Sequence, residues 1–187
     1  MSKILTTQLT GLLQRIQQSE EGAVEETARL LAQASIGQGI VYFAGFGEFD
    51  ALVHNALSSA EPFVNAAKWT PETTIEEADR VIIFTRSGQD AEAIALAQQL
   101  NNTFIPFSAV ASEVASAENE LSELAYTYIS LKMRGGILPH PTKLGERIVM
   151  PHLIAALFIY EAIKMEYDEM ISDEDDELEG ESAFPTI

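Results

Sequence analysis

The sequence predicts a three-layer α/β/α sandwich built around a five-stranded parallel sheet. Short runs of β-branched and aromatic residues, apolar at consecutive positions, recur along the chain. A strand that is apolar on both faces needs helices on both sides of its sheet. Segments with apolar residues at three- and four-residue spacing separate several of these runs. Such alternation of strands and helices is typical of a parallel sheet with right-handed crossovers.

The N-terminal segment, residues 1–36, has the periodicity of amphipathic helices. Apolar residues recur at three- and four-residue spacing over residues 4–16 and again over residues 24–32. The polar stretch at residues 20–22 contains a glycine and predicts a break, so we expect two helices here. Gly37 predicts the end of the second helix.

The strands of the sheet are expected at the apolar runs that follow. The clearest are residues 40–44, 81–84, 103–107 and 126–131, and a weaker run lies at 63–68. Helical patterns at residues 49–60 and 89–100 lie between them.

The C-terminal region divides into a long helix and an acidic tail. A helical pattern runs over residues 143–171, with Pro151 as a predicted bend, and its length suggests packing beyond its own sheet. Its most apolar part is shorter than the roughly 20 apolar residues that a membrane crossing needs. Residues 172–187 contain seven acidic side chains and predict a disordered tail. We therefore expect a single domain over residues 1–171.

Composition excludes several classes of function. The chain has 187 residues, 29 acidic and 11 basic side chains and a formal net charge of -18, which disfavours binding to nucleic acid or to an anionic membrane. It has no cysteine, which excludes disulfides and thiolate chemistry and fits a cytoplasmic protein. Glutamines and Arg15 interrupt the first apolar segment, so no signal peptide is expected.

In parallel sheets, ligands bind beyond the carboxyl ends of the strands. The loop after the first strand contains Gly45, Gly47 and Glu48 and has the beginning of a dinucleotide fingerprint. Its sixth position is Asp50 instead of glycine or alanine, and no acidic residue follows the second strand to hold a ribose. A nicotinamide or flavin site is therefore not predicted. The two glycines either bind a ligand or permit a tight turn.

The loop after the third predicted strand, residues 85–90, carries the clearest chemistry. Thr85 and Ser87 supply hydroxyls and Arg86 a guanidinium, followed by Gly88, Gln89 and Asp90 at the start of a helix. The unpaired backbone N–H groups of a helix start form an anion site. The alternative is that Ser87 caps the helix and that Arg86 is solvated.

These segments together resemble the sugar isomerase (SIS) phosphosugar-binding domain. The shared features are a strand that ends in Gly-x-Gly, a strand that ends in a hydroxyl-x-Ser-Gly loop with Ala78 and Asp79 just before it, and a long C-terminal helix. The resemblance covers about residues 20–165, and residues 78–100 carry it most specifically. In size the chain is most similar to the single-domain phosphoheptose isomerases. The resemblance implies a flavodoxin-like strand order.

The resemblance implies that the third loop grips a phosphate, and Thr85, Ser87 and Gly88 match the family's pattern. Asp90 stands where the family usually has a last hydroxyl, and Phe49 stands where it has a serine. A carboxylate about 4 Å from a phosphate costs roughly 4 kcal/mol per unit charge at an effective dielectric of about 20. Either Asp90 turns away from the site, or the ligand is not a simple phosphate.

Catalytic residues match less well. The resemblance implies a histidine followed one turn later by a glutamate, and a glutamine paired with a later histidine. His54 is followed by Ser58 instead, and no glutamine lies within the turns before His152. An isomerase also needs a base that moves a proton between adjacent carbons. The candidates are His54, His152 and Glu61; no metal and no cofactor are expected.

A basic segment stands out in this acidic chain. Five basic or histidine side chains fall within 16 residues that contain one acid: Lys132, Arg134, His140, Lys143 and Arg147, with Glu146. They either lie along the sheet edge near Arg86 and bind an anion, or are solvated, or pair with acids of a second subunit. Arg134 is the segment's candidate ligand-binding residue.

The expected function is recognition of a phosphorylated sugar or a related anionic carbohydrate derivative. Three alternatives remain open at this point: a phosphosugar isomerase with an atypical base, a sensor or regulatory module without turnover, and a decayed site in which the tail and dimer surface matter. The N-terminal and C-terminal helices carry more apolar surface than one side of the sheet needs, which predicts at least a homodimer.

Overall fold

A computed structural model describes residues 2–181 of the protein, and the side chains of residues 2–172. Its helices are α1 (Ser2–Ile36), α2 (Asp50–Ser58), α3 (Ala91–Asn102), α4 (Glu120–Leu124) and α5 (His152–Glu181). Its strands are β1 (Val41–Gly45), β2 (Ala66–Lys68), β3 (Arg80–Phe84), β4 (Phe107–Ala111), β5 (Thr127–Ser130), β6 (Leu138–Pro139) and β7 (Arg147–Ile148). A 3₁₀ turn, Gly47–Phe49, joins β1 to α2.

Strands β1 to β5 form one sheet in the order β2-β1-β3-β4-β5, and every pair in it is parallel. The loops after β1, β3, β4 and β5 therefore meet at one edge of the sheet. Strands β6 and β7 form a separate antiparallel hairpin. The predicted five-stranded parallel sheet with flavodoxin-like order is confirmed.

Side chains alternate between two cores, one on each face of the sheet. Phe43, Ile82 and Phe84 point into the core formed with α1, α2 and α5. Val81 and Ile83, their neighbours in sequence, point into the core formed with α3 and α4. This alternation is the reason that the strands read as continuous apolar runs.

Helix α1 is one continuous helix, so the predicted break at residues 20–22 is wrong. Glu20 is buried, and its carboxylate accepts a hydrogen bond from the backbone N–H of Ser130 (3.0 Å) and pairs with Lys132 Nζ (2.8 Å). The polar residue that suggested a loop is instead a contact between the middle of the helix and the end of β5. Tertiary structure here outweighs local pattern.

The fourth strand begins where the sequence predicted that it would end. Strand β4 is Phe107–Ala111, whereas the prediction was residues 103–107. The hydroxyl of Thr103 donates to the carbonyls of Gln99 and Leu100, which closes the end of α3. Phe104 has a positive φ of 58° and lies in the turn that follows. The apolar residues of the turn resembled a strand because pattern alone does not separate the two.

The C-terminal helix also differs from its prediction. It begins at His152 instead of at residue 143, because residues 138–148 form the β6–β7 hairpin. It continues to Glu181, so the acidic segment begins inside a helix; residues 182–187 lie outside the described residues, and their predicted disorder stays a prediction. Within residues 2–181, none of the helices combines the length and the apolar character that a bilayer crossing requires.

Helices α1 and α5 pack against each other and against the sheet. Leu12 and Leu31 of α1 and Ile159 and Ile163 of α5 are buried in this shared core. Much of the apolar surface that predicted a homodimer is thus covered within one chain. The homodimer stays a prediction.

We predict that Glu20→Ala lowers the free energy of unfolding by about 2 to 3 kcal/mol. The substitution leaves the Ser130 amide buried without its acceptor and Lys132 without its ion pair, and a lost partner of a charged hydrogen bond costs this much. Urea unfolding measures the change. Glu21→Ala, an exposed change of equal charge on the same helix, is the control; equal losses in the two variants would contradict the role of Glu20.

Candidate functional site

A cavity of about 710 Å³ lies at the carboxyl edge of the sheet, where the sequence predicted a site. Three strand-end loops and the start of α5 form its wall. Its polar lining comes from Arg86 and Ser87 after β3, Ser112 and Glu113 after β4, Lys132 and Arg134 after β5, and His152 of α5.

Asp90 turns away from this cavity and caps α3. Its Oδ1 accepts hydrogen bonds from the backbone N–H groups of Glu92 (3.0 Å) and Ala93 (3.3 Å). Its Oδ2 accepts one from the buried hydroxyl of Thr85 (2.9 Å). The helix N–H groups that were expected to hold a ligand are therefore taken by the protein's own carboxylate. Asp90, and not Ser87, is the N-cap, and neither Thr85 nor Asp90 lines the cavity.

Glu113 accepts hydrogen bonds from two donors of the third loop. Ser87 Oγ donates to its Oε1 (2.7 Å), and the backbone N–H of Gly88 donates to its Oε2 (2.8 Å). The N–H of Gln89 donates to Ser87 Oγ (3.1 Å), which orients that hydroxyl toward the carboxylate. A hydroxyl and an amide that share one carboxylate form an oxyanion site, and here the oxyanion is internal. No motif in the sequence singled out Glu113.

A hydrogen-bonded network positions Glu113. The hydroxyl of Tyr128 donates to the carbonyl of Glu113 (2.9 Å), and Asn119 Nδ2 donates to that Tyr128 oxygen (2.9 Å). Burial raises the pKa of Tyr128 to about 12, so the hydroxyl keeps its proton at neutral pH. A Cβ on Gly88 would lie 2.3 Å from Asn119 Oδ1, so the loop needs a glycine where it meets this network.

Arg86 and Glu48 join the third loop to the first. Arg86 Nε and Nη2 donate to the two carboxylate oxygens of Glu48 at 3.1 and 2.6 Å, a bidentate ion pair. A Cβ on Gly45 would lie 2.5 Å from the carbonyl oxygen of Phe49, and Gly47 has a φ of 62°. Turn geometry therefore accounts for both glycines, and neither lines the cavity.

Two buried polar atoms of the cavity wall have no hydrogen-bond partner among the described residues. They are Ser112 Oγ and His152 Nδ1, in side chains that are 6% and 5% exposed. Burial, and after it the nearby charge of Arg86, lowers the pKa of His152, so its ring is neutral at neutral pH. Buried polar atoms are nearly always hydrogen-bonded. Both atoms are shielded from the cavity, so a ligand contacts them only after their side chains turn toward it.

Three basic side chains line the cavity, and two of them, Arg86 and Lys132, are compensated by carboxylates. Lys132 pairs with Glu20, as described above. Arg134 is exposed and forms no ion pair with any side chain of residues 2–172. The sequence predicted Arg134 as a ligand-binding residue, and the structure places it at the cavity.

The three predicted catalytic residues do not come together. His152 lines the main cavity, whereas His54 lies in a separate depression of about 310 Å³ beside Leu153 and Leu157. Glu61 is exposed in the loop after α2 and lines neither. Within the described part of the chain, no group of three or more His, Asp or Glu side chains is placed to hold a metal ion.

Comparison with known proteins gives a family and a fold. The family described as a domain of unknown function (DUF2529) matches residues 1–171. The Bacillus subtilis (strain 168) protein "Uncharacterized protein YwjG" is 34% identical over 175 residues, which cover 92% of this chain and 99% of that protein.

Solved structures share the architecture at low sequence identity. Phosphoheptose isomerase GmhA from Neisseria gonorrhoeae matches with a TM-score of 0.61 and 11% identity, over 88% of this chain and 95% of that chain. The Vibrio vulnificus NanR protein, complexed with ManNAc-6P, matches with a TM-score of 0.59 and 14% identity, over 98% and 70% of the two chains. The predicted sugar-isomerase type of fold is confirmed.

We predict that Asp90→Ala lowers the free energy of unfolding by about 1 kcal/mol, because the start of α3 loses its cap. Asp90→Ser keeps a capping oxygen and should cost less. Since Asp90 faces the helix, Asp90→Ser should leave phosphate affinity unchanged. Urea unfolding and phosphate titration measure the two effects, with the exposed Glu92→Ala as the control. Tighter phosphate binding by Asp90→Ser alone would show that Asp90 faces the ligand.

Proposed function

The chain belongs to the DUF2529 family of domains of unknown function, and we propose that it binds a phosphorylated sugar or a related anionic carbohydrate derivative in the strand-end cavity. The observation that carries this proposal is that the carboxylate of Glu113 accepts hydrogen bonds from Ser87 Oγ and from the backbone N–H of Gly88. These donors already bind an oxyanion, and a phosphate group presents the same acceptor atoms.

Ligand binding at these donors exchanges one anion for another. Glu113 lies in an exposed loop, residues 113–118, so its side chain can leave the donors without opening the core. The incoming phosphate takes the Ser87 hydroxyl and the Gly88 amide, and Arg134 adds an uncompensated positive charge at the same wall. The affinity for phosphate is then reduced by the free energy that holds Glu113 in place.

The sugar part of the ligand fits the other polar groups of the cavity. Ser112 and His152 line the cavity, and a hydroxyl and a neutral imidazole are groups that hydrogen-bond the hydroxyl groups of a sugar. The fold supports this proposal at a general level, because the structurally similar NanR protein is complexed with ManNAc-6P.

Binding without turnover is the function that the geometry supports best. Isomerisation of an aldose and a ketose needs a base that carries a proton between adjacent carbons. His54 and Glu61 do not line the cavity, and Glu113 is already hydrogen-bonded. We therefore infer a sensor or regulatory module, which is one of the alternatives that the sequence left open. Its cytoplasmic location and its homodimer stay predictions from the sequence.

One observation favours a second function, a phosphosugar isomerase with His152 as its base. His152 lines the cavity, and burial lowers the pKa of its imidazole, which favours the neutral form that a base needs. Because binding without turnover is the function that the geometry supports best, we predict that fructose 6-phosphate incubated with the protein in D₂O exchanges no carbon-bound proton for deuterium. Proton NMR follows the exchange. Loss of a carbon-bound proton signal in the wild type, abolished by His152→Gln, would establish the isomerase instead.

The binding proposal predicts that Glu113→Ala binds fructose 6-phosphate about tenfold more tightly than the wild type does, a change of about 1.4 kcal/mol. The substitution removes the internal competitor from Ser87 and Gly88. Isothermal titration calorimetry measures both dissociation constants, with unphosphorylated fructose as the ligand control.

Glu118→Ala is the matched protein control, because it removes the same charge from the same exposed loop. Equal gains in the two variants would mean that only the net field of the protein had changed. Weaker binding by Glu113→Ala would show that Glu113 contacts the ligand directly. Absence of binding in both the wild type and Glu113→Ala would contradict the proposed function.

A further inference from the structure

Most basic side chains of this protein are paired with carboxylates. Six of the 11 form ion pairs: Arg29, Lys68, Arg86, Lys132, Lys143 and Lys164. Among the described side chains, the five without such a pair are Lys3, Arg15, Arg80, Arg134 and Arg147. Three of these five, Arg15, Arg134 and Arg147, line one cleft.

This arginine cleft, of about 240 Å³, lies between the N-terminal half of α1 and the segment that follows β5. Lys132 also lines it, so four of its ten lining residues are basic and none is acidic. The whole chain has 29 acidic and only 11 basic residues. The charge of the cleft is therefore opposite in sign to the net charge of the chain.

Backbone contacts hold one of the arginines in position. Arg147 Nε donates to the carbonyl of Gly136 (2.6 Å), and Nη2 donates to the carbonyl of Ile137 (2.8 Å). Gly136 packs tightly against the same hairpin, since a Cβ there would lie 2.5 Å from the carbonyl oxygen of Ile148. The hairpin thus presents a guanidinium whose charge is not neutralised by a carboxylate.

Like charges that line one cleft repel each other, and an anion between them removes that repulsion. Guanidinium groups match the oxygens of phosphate in geometry, and they donate several hydrogen bonds at once. A small cleft lined by three unpaired arginines and one lysine therefore suits a single phosphate group.

The arginine cleft adjoins the main cavity. Four residues line both: Lys132, Met133, Arg134 and Gly135. We propose that the arginine cleft binds a second phosphate group of the same ligand, an inference that rests on the proposed function of the main cavity. The ligand class is then a carbohydrate with two phosphate groups, one on each side of residues 132–135.

The test compares fructose 1,6-bisphosphate with fructose 6-phosphate by isothermal titration calorimetry. The wild type should bind the bisphosphate at least tenfold more tightly, as expected for a further set of charge-assisted hydrogen bonds. Arg15→Gln should abolish this preference and leave the affinity for fructose 6-phosphate unchanged, because Arg15 lines the cleft and not the main cavity.

Arg29→Gln is the matched control, since it removes the same charge from an exposed position of the same helix. Equal affinity of the wild type for the two sugars, or equal effects of the two substitutions, would overturn the second subsite. If neither sugar binds, the proposed function fails, and inorganic pyrophosphate then tests the cleft by itself. Pyrophosphate binding that Arg15→Gln weakens tenfold and Arg29→Gln does not would support the cleft as an anion site, and absence of such binding would overturn it.

Discussion

Charge-assisted hydrogen bonds to internal carboxylates organise the loops at the carboxyl edge of the sheet. Glu48 holds Arg86, Asp90 holds the start of α3, and Glu113 holds Ser87 and Gly88. Glu20 reaches the same edge from the middle of α1 and holds the end of β5. The shape of the cavity depends on these contacts, since they fix the loops after β1, β3 and β4 and the end of β5 relative to one another. Such contacts are stronger than those between neutral groups.

Some of the many acidic residues of the chain therefore have a structural role at this edge of the sheet. A parallel sheet collects backbone donors and helix starts at one edge, and that edge favours anions. Here the protein's own carboxylates accept hydrogen bonds from several of these donors. The basic groups that remain uncompensated, Arg134 and the other arginines of the arginine cleft, lie beside this edge, where we propose that outside anions bind.

The sequence predicted the parts of the fold that depend on local pattern. The core strands at Val41, Val81 and Thr127 are apolar runs between helices, and their order follows from the resemblance. The sequence also identified the third loop, residues 85–90, and Arg134 as parts of the candidate site. Pattern failed where a distant contact decides the structure: Glu20 appeared to break a helix, because its partners lie about 110 residues away in sequence. Glu113 and Ser112 lie in a segment without periodicity, and Arg15 is an ordinary helix-surface residue until the chain is folded.

An oxyanion site that is already filled has a kinetic consequence. A ligand that needs the Ser87 and Gly88 donors meets them only while Glu113 is away from them, so encounter and capture are separate steps. At high ligand concentration the observed association rate then levels off at the rate at which the loop releases its carboxylate. In the proposed function, release of the Glu113 side chain from Ser87 and Gly88 therefore sets how quickly the protein responds to a rise in ligand concentration, independently of how tightly it finally binds.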